Sequence, residues 1–209
     1  MLATRCNNLY ILDSSGELIA TSKLPAGSRN NSSCAGPQGP SLVLDDQGNI
    51  FGCHESEGFD GAVIWAMDPL GEILWEQQQS TSGYVDGPVL APDGTVHFAM
   101  GLMEMSDSGR RRWGERLLAY WPNGELCYER LFLDGTSTSF PPEFAKGSRA
   151  YLLTFNQTAG RLVFLPDLSP VWECDGQELA VAPGSLLRHP DGLLLFICGE
   201  VEWYHDHCM

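Results

Sequence analysis

The last residues of this 209-residue chain read WYHDHC. His205 and His207 alternate, so in an extended strand they share one face. With Asp206 and Cys208 beside them they offer the nitrogen, oxygen and sulfur donors that zinc or copper accepts. His205, His207 and Cys208 are therefore the candidate metal ligands. A structural site usually takes four ligands, and only Cys53 and His54 suggest themselves as additions from elsewhere. Chain ends also fray, so a solvated tail or a closing strand is the better account of the same residues. A second cluster is MEMSDSGRRRWGER at residues 103–116. Arg110, Arg111, Arg112 and Arg116 are four of only 12 basic residues, and Trp113 sits among them. Arg with Trp is the composition of binding hot spots. The segment reads as the longest insertion between strands, and function concentrates on such loops. Arg110, Arg111, Arg112 and Trp113 are the candidate partner-binding residues, suited to an acidic partner or to a second copy of this acidic chain. The alternative is a solvated loop with its Trp folded back.

The other polar residues point away from catalysis. Asp45, Asp46, Asp93 and Asp191 sit in turn tips, where carboxylates cap backbone N–H groups; they do not form a general acid/base pair. Trp65, Trp75, Trp121 and Trp172 recur at equivalent strand positions and suit packing between blades, where large rings fill wedge-shaped spaces. The expectation is no catalytic set and no cofactor. The formal net charge of −15 argues against nucleic acid or an anionic membrane surface as a partner. No apolar run reaches the ~18 residues that a membrane span needs, and the start shows no apolar signal segment. The 7 cysteines are odd in number and scattered, with Cys53 and Cys198 inside apparent strands. Free thiols in a reducing, cytoplasmic setting follow.

These residues must be positioned by a repeat. Gly48, Gly94, Gly147 and Gly192 each sit in a polar tip between apolar runs. A period near fifty residues is the mark of propeller blades and related arrays. One half of the unit is a small residue or Pro, a strand, a Gly turn and a strand: GPSLVLDDQGNIFGCH at 39–54, then 87–100, 141–155 and 182–198. The other half is strand, turn and strand: AVIWAMDPLGEILWE at 62–76, then 117–129, a shortened version at 162–173, and a copy at 8–22. Long runs with a 3.6-residue period are absent from this pattern, so no helix is expected. Four short strands per repeat is the content of one blade. The expected architecture is an all-β propeller in one domain, residues 1–209. It has a half-blade at 3–22, blades at about 38–78, 85–131 and 138–175, and a half-blade at 180–205. If the terminal halves meet, they complete a fourth blade and leave no exposed ring edge.

AMDPLGEILWE and GPVLAPDGTVHFA resemble the pyrroloquinoline-quinone-like β-propeller repeat. Its strand ends in an Asp-x-x-Gly-Glu turn and its next strand carries a Trp that packs between blades. Asp68, Gly71, Glu72 and Trp75 match in order. Asp13, Gly16 and Glu17 match without the Trp. Gly124 and Glu125 match with Trp121 at the Asp position and Tyr128 at the Trp position. Quinone-dependent members carry adjacent cysteines and a calcium site. No two cysteines are adjacent here, so the resemblance implies a scaffold without the dehydrogenase site. Fold alone does not transfer function. Three functions follow: a non-enzymatic module binding a protein through the loops of one face; a metal-dependent hydrolase of the lactonase type; or half of a larger propeller made by homodimerisation.

Overall fold

In the computed structural model, the backbone is described for residues 2–5, 8–25, 42–55, 61–80, 85–105, 109, 111–132, 137–138, 143–144, 150–155, 159–165, 169–175, 187–188 and 194–195. Side chains are described for most of these up to residue 132, and for Phe144. All regular structure among them is strand, and no helix there is long and apolar enough to cross a membrane. Contacts divide the chain into two units, residues 1–134 and 135–209.

The first unit holds three antiparallel sheets in chain order. The first joins β1 (Leu2–Arg5), β2 (Asn8–Leu12) and β3 (Leu18–Lys23). The second is the meander β4 (Leu42–Leu44), β5 (Ile50–Glu55), β6 (Gly61–Met67) and β7 (Ile73–Ser80). The third is the meander β8 (Val85–Leu90), β9 (Val96–Met105), β10 (Arg111–Tyr120) and β11 (Leu126–Phe132). The repeat led to two strands at the start of the chain; β1 adds a third, paired Leu2 to Ile11 through Arg5 to Asn8. In the second unit, β12 (Ser137–Thr138) and β13 (Glu143–Phe144) both pair with β14 (Ala150–Phe155), which continues into β15 (Ala159–Leu165) and β16 (Ser169–Asp175). A hairpin of β17 (Leu187–Arg188) and β18 (Leu194–Leu195) follows. The repeat expected from the sequence is thus present as two four-stranded meanders and a third of similar order.

Proline explains the break in the first strand of the third sheet. It has no N–H to give a ladder, so it is tolerated at a sheet edge or a bulge. The β8 ladder passes from Asp86–Ala99 to Val89–His97, skipping Gly87 and Pro88. In the next sheet β12 and β13 stand on either side of residues 139–142, which contain Pro141 and Pro142.

Five turns repeat one geometry. Gly16, Gly48, Gly71, Gly94 and Gly124 all have φ between 83° and 89°. In each, the Gly N–H donates to the carbonyl three residues earlier, as from Gly71 to Asp68 at 3.0 Å. This is a type I turn followed by a left-handed residue, the three-residue hairpin loop. Where the turn opens with Asp, its Oδ1 accepts two more N–H groups: Ser15 and Glu17 for Asp13, Gln47 and Asn49 for Asp45, Leu70 and Glu72 for Asp68. The Asp13 carboxyl is held below the usual range by these bonds, that of the Ser15 side chain first. Asp93 serves from inside its turn by accepting from Thr95 N–H at 3.0 Å. The turn-cap role expected of Asp45 and Asp93 is therefore observed; Asp191 lies outside the described residues.

Sheets in this unit stack face to face. β6 is buried at every position, because alternate residues serve different neighbours. Val63, Trp65 and Met67 join Leu9, Ile11 and Leu24 of the first sheet's side. Ala62, Ile64 and Ala66 join Val96, Phe98, Met100, Leu118 and Tyr120 of the third sheet. Trp75 ties the second seam. Its Nε1–H donates to Pro122 O at 2.8 Å, and its ring lies 5.8 Å from that of Tyr120 at 27°. A Trp between sheets is thus found at 75. The four Trp positions are not equivalent, however. Trp65 is on β6, Trp121 opens a turn and is 40% exposed. Trp172 does share the register of Trp75, each standing beside a bulge opposite the preceding strand, at Leu162 and Ala66 respectively.

Gly16 and Gly124 separate two costs. Both have φ near +88°, but a Cβ at Gly16 meets nothing within 4 Å, whereas one at Gly124 falls 2.8 Å from the Trp75 ring. Gly16→Ala is expected to lose about 1–2 kcal/mol of unfolding free energy from the left-handed backbone alone. Gly124→Ala is expected to lose a further ~1–3 kcal/mol from overpacking. Urea unfolding of the two variants checks this; equal losses would refute the Trp75 contact.

Candidate functional site

In a meander, alternate connections fall at the same end. The Asp and Gly turns between β4 and β5, β6 and β7, β8 and β9, and β10 and β11 share one end, the turn end. The β5–β6 and β9–β10 connections define the opposite, loop end.

The β9–β10 hairpin overreaches at the loop end. Its pair Val96–Tyr120 corresponds to Ile50–Met67 beside the preceding turn, and Gly101–Glu115 to Glu55–Ala62, where β5 and β6 stop pairing. Four more pairs follow in β9–β10: Leu102–Gly114, Met103–Trp113, Glu104–Arg112 and Met105–Arg111. At about 3.4 Å per residue the ladder runs roughly 13 Å further. The segment 103–116 was expected to be a loop. Instead β9 runs to Met105 and β10 begins at Arg111. Alternating residues on a paired ribbon satisfy the backbone inside the hairpin, which a loop of that length would leave to solvent. Arg111, Arg112 and Trp113 are on this ladder; Arg110 lies outside the described residues.

At the root of the hairpin, Arg116 reaches across to the second sheet. Its Nη2 donates to Ser80 O, the last residue of β7. Its Nη1 is 3.5 Å from Glu129 Oε1. Beside this, Gln79 Nε2 donates to Tyr120 OH at 3.0 Å.

Cys53 and His54 also end β5 at the loop end, on opposite faces. The Cys53 thiol donates to Gly87 O at 3.1 Å on the third-sheet side. Burial first, then the Asp86 carboxylate, push this thiol well above the ordinary range. It is a protonated core thiol, not a nucleophile. Burial also pushes the Asp86 carboxyl upward. His54 lies toward the first sheet, where Trp65 Nε1–H donates to its Nδ1 at 3.1 Å. Indole only donates, so a neutral His54 carries its proton on Nε2. Burial lowers its pKa to about 4. With Nδ1 occupied and Nε2 protonated, His54 has no lone pair for a metal. Cys53 and His54 thus face different partners and do not converge with each other. His205, His207 and Cys208 lie outside the described residues. Among the described residues, no group of three His, Cys, Asp or Glu side chains could hold a metal ion.

One polar chain at the turn end joins Asp93 and Tyr128, read from the sequence only as a turn cap and a packing residue, through Thr95 and His97, which the sequence did not single out. Thr95 Oγ1 is 2.7 Å from Asp93 Oδ1 and 3.0 Å from His97 Nε2. Tyr128 OH is 3.2 Å from His97 Nδ1, and Arg130 lies 5.5 Å over the Tyr128 ring. The Thr95 hydroxyl donates to the carboxylate, so it accepts from Nε2–H, and Tyr128 donates to Nδ1. Burial lowers the His97 pKa to about 4, against the opposing pull of Asp93. Thr95 is 3% exposed, so it is no nucleophile; the chain locks the turn to β11. Of Asp93, Thr95 and His97, only His97 lies on β9; Asp93 and Thr95 belong to the turn before it, and their i, i+2 spacing is what the sequence shows of this chain of contacts.

No protein-family model and no curated protein matches this chain. Solved structures similar to it include a protein of unknown function from Bacteroides caccae, at 13% identity over 90% of this chain and 63% of that one, with a TM-score of 0.48. A eukaryotic initiation factor aligns at 8% identity over 86% of this chain and 52% of that one, TM-score 0.42. An exo-beta-1,3-galactanase from Phanerochaete chrysosporium, with galactose, aligns at 14% identity over 91% of this chain and 45% of that one, TM-score 0.40. The chain spans 45% to 63% of the lengths of these three proteins.

His54 and His97 make folding acid-sensitive. Their folded pKa values are lowered to about 4 from 6.5. Between these values the unfolded chain binds more protons, so stability rises with pH across the window. Each contribution is fully present above pH 6.5 and lost as pH falls toward 4, on the order of 3 kcal/mol per residue. Urea unfolding across this range is expected to show a slope smaller by about one proton in His97→Gln than in the wild type. An unchanged slope would show that His97 is not held neutral.

Proposed function

We propose that this chain is a non-enzymatic β-propeller module, of the pyrroloquinoline-quinone-like repeat kind, that binds a protein partner at the loop end of its sheets. The observation that carries the reading is the β9–β10 hairpin, four residue pairs longer than its β5–β6 counterpart. Three further features support it. Successive antiparallel meanders stack through shared apolar seams, as blades do. The Asp-x-x-Gly-Glu turn and the Trp75 wedge match the repeat's pattern. The described polar groups that resemble acid/base machinery are committed elsewhere: Asp13, Asp45 and Asp68 to turns, His97 to Thr95 and Tyr128, Cys53 to a carbonyl. The number of blades, about four, rests on the sequence repeat.

A paired ribbon suits recognition because its backbone is ordered before the partner arrives, which lowers the entropy lost on binding. It carries Arg111, Arg112 and Trp113, residue types that dominate interface energetics. In a chain of net charge −15, such a basic point stands out to an acidic partner and speeds encounter at low salt.

The test is to excise residues 103–105 and 111–113, keeping the connecting residues between them. A partner cross-linked to the wild-type chain in native extract is expected to be lost, with binding at least ~10-fold weaker, while the thermal midpoint is unchanged. Retention of the same partner at equal affinity would overturn the reading.

A further inference from the structure

The exposed apolar surface of the first unit gathers at its turns. Leu18, Leu70, Ile73, Trp121 and Leu126 are 40% to 66% exposed and lie in or beside them. Among the described residues, Leu131 is the one exposed large apolar side chain remote from a turn. Single apolar residues scattered over a surface are ordinary, whereas a gathered set marks an interaction site. Leu18, Ile73 and Leu126 moreover hold one position in three successive sheets. Each is the second residue after a left-handed glycine and pairs, beside a bulge, with the last residue of the preceding strand: Leu12, Met67 and Tyr120. An exposed Glu precedes each of them, at 17, 72 and 125. Stacking sets these positions in series. The β6–β7 turn is seated on β3 through Gly71 O and Ser22, and the β10–β11 turn on β7 through Pro122 O and Trp75.

Trp121 stands apart within this series. It opens its turn, the place where Asp13, Asp45 and Asp68 accept backbone N–H groups in theirs. Indole cannot accept, and the Glu125 N–H donates instead to Asn123 Oδ1 at 3.0 Å. The cap has moved inside the turn, and a large ring half faces water where a carboxylate would serve folding better. Trp is among the residue types most enriched where binding energy concentrates.

Charge selects what covers this surface. The turns at residues 13–19, 45–49, 68–74, 91–95 and 121–127 each carry Asp or Glu and contain no Lys or Arg. We propose that the turn end is a second docking face, for a segment of a protein partner that alternates basic and apolar residues. Its apolar side chains cover Trp121 and the Leu and Ile row, and its Lys or Arg residues meet Glu17, Glu72 and Glu125 at the rim. Nucleic acid and anionic surfaces are repelled from such an end. The face lies at the opposite end of the sheets from the β9–β10 hairpin and does not depend on it.

The test titrates the full chain at low salt into a fluorescein-labelled peptide of alternating lysine and leucine and reads anisotropy. Saturable binding is expected, about 10-fold tighter than that of an oligolysine of equal charge, because apolar burial adds to the attraction. Trp121→Ser leaves the net charge unchanged and should weaken binding about 10-fold. Replacing Glu17, Glu72 and Glu125 together by Gln should weaken it as well. Leu131→Ser removes an exposed apolar residue outside the turn end and should bind like wild type. Absence of saturable binding overturns the proposal, as does equal affinity for oligolysine, which needs no variant. So does wild-type binding by Trp121→Ser or by the triple Gln variant, or a loss in Leu131→Ser as large as that in Trp121→Ser. If the chain alone associates as its concentration rises, and Trp121→Ser abolishes this, a second copy replaces the peptide as the occupant. The chain with the hairpin excised should bind the peptide like wild type; loss there would place the peptide at the loop end and overturn the turn-end face, while leaving the hairpin reading untouched.

Discussion

The first unit depends on one constraint: its central strands cannot bury both faces within their own sheet. β6 is buried throughout, and its two faces belong to two different seams. A lone four-stranded sheet would leave one of those faces in water, at a cost of roughly 25 cal/mol for each Å² of apolar surface. Stacking of consecutive sheets removes both faces from water. It also accounts for the composition of the strand, AVIWAM, which shows none of the polar alternation of a half-exposed sheet.

Stacking then decides what the polar groups can do. Trp75 crosses a seam to Pro122 and stacks on Tyr120, leaving Gly124 no room for a side chain. Ser22 has a related role in the preceding sheet, where its hydroxyl donates to Gly71 O at 2.5 Å. Gly52 is similarly confined, because a Cβ there would enter the Trp65 ring. The same closeness dries the histidines. His54 and His97 lose water, stay neutral, and are oriented by Trp65 and by Thr95 and Tyr128. Groups that look chemically able in the sequence become fixed structural elements.

Local features were legible. Gly48 and Gly94 mark left-handed turn residues, Asp45 and Asp93 cap them, and the prolines mark edges or bulges. Strand and turn were readable because their determinants act within about four residues. Less of the candidate site could be read. Arg110 to Trp113 attracted notice by composition, but a polar, glycine-containing stretch looks like a loop whether or not its flanks pair. Pairing of Met105 with Arg111 is a matter of register with the rest of the ladder. Cys53 and His54 are neighbours in sequence and face different sheets, so adjacency misled where alternation was informative.

The sequence by itself determined an all-β chain of repeated hairpins with tight Gly turns, an acidic charge and a concentrated basic cluster. These follow from backbone sterics, period-two patterning and composition. Only the tertiary structure decided which faces meet, which histidine nitrogen carries its proton, how far the β9–β10 hairpin extends, and which apolar side chains stay exposed at the turn end. The reason is range. Trp75 and Pro122 are 47 residues apart, Arg116 and Ser80 are 36 apart, and such contacts exist only once whole sheets are stacked.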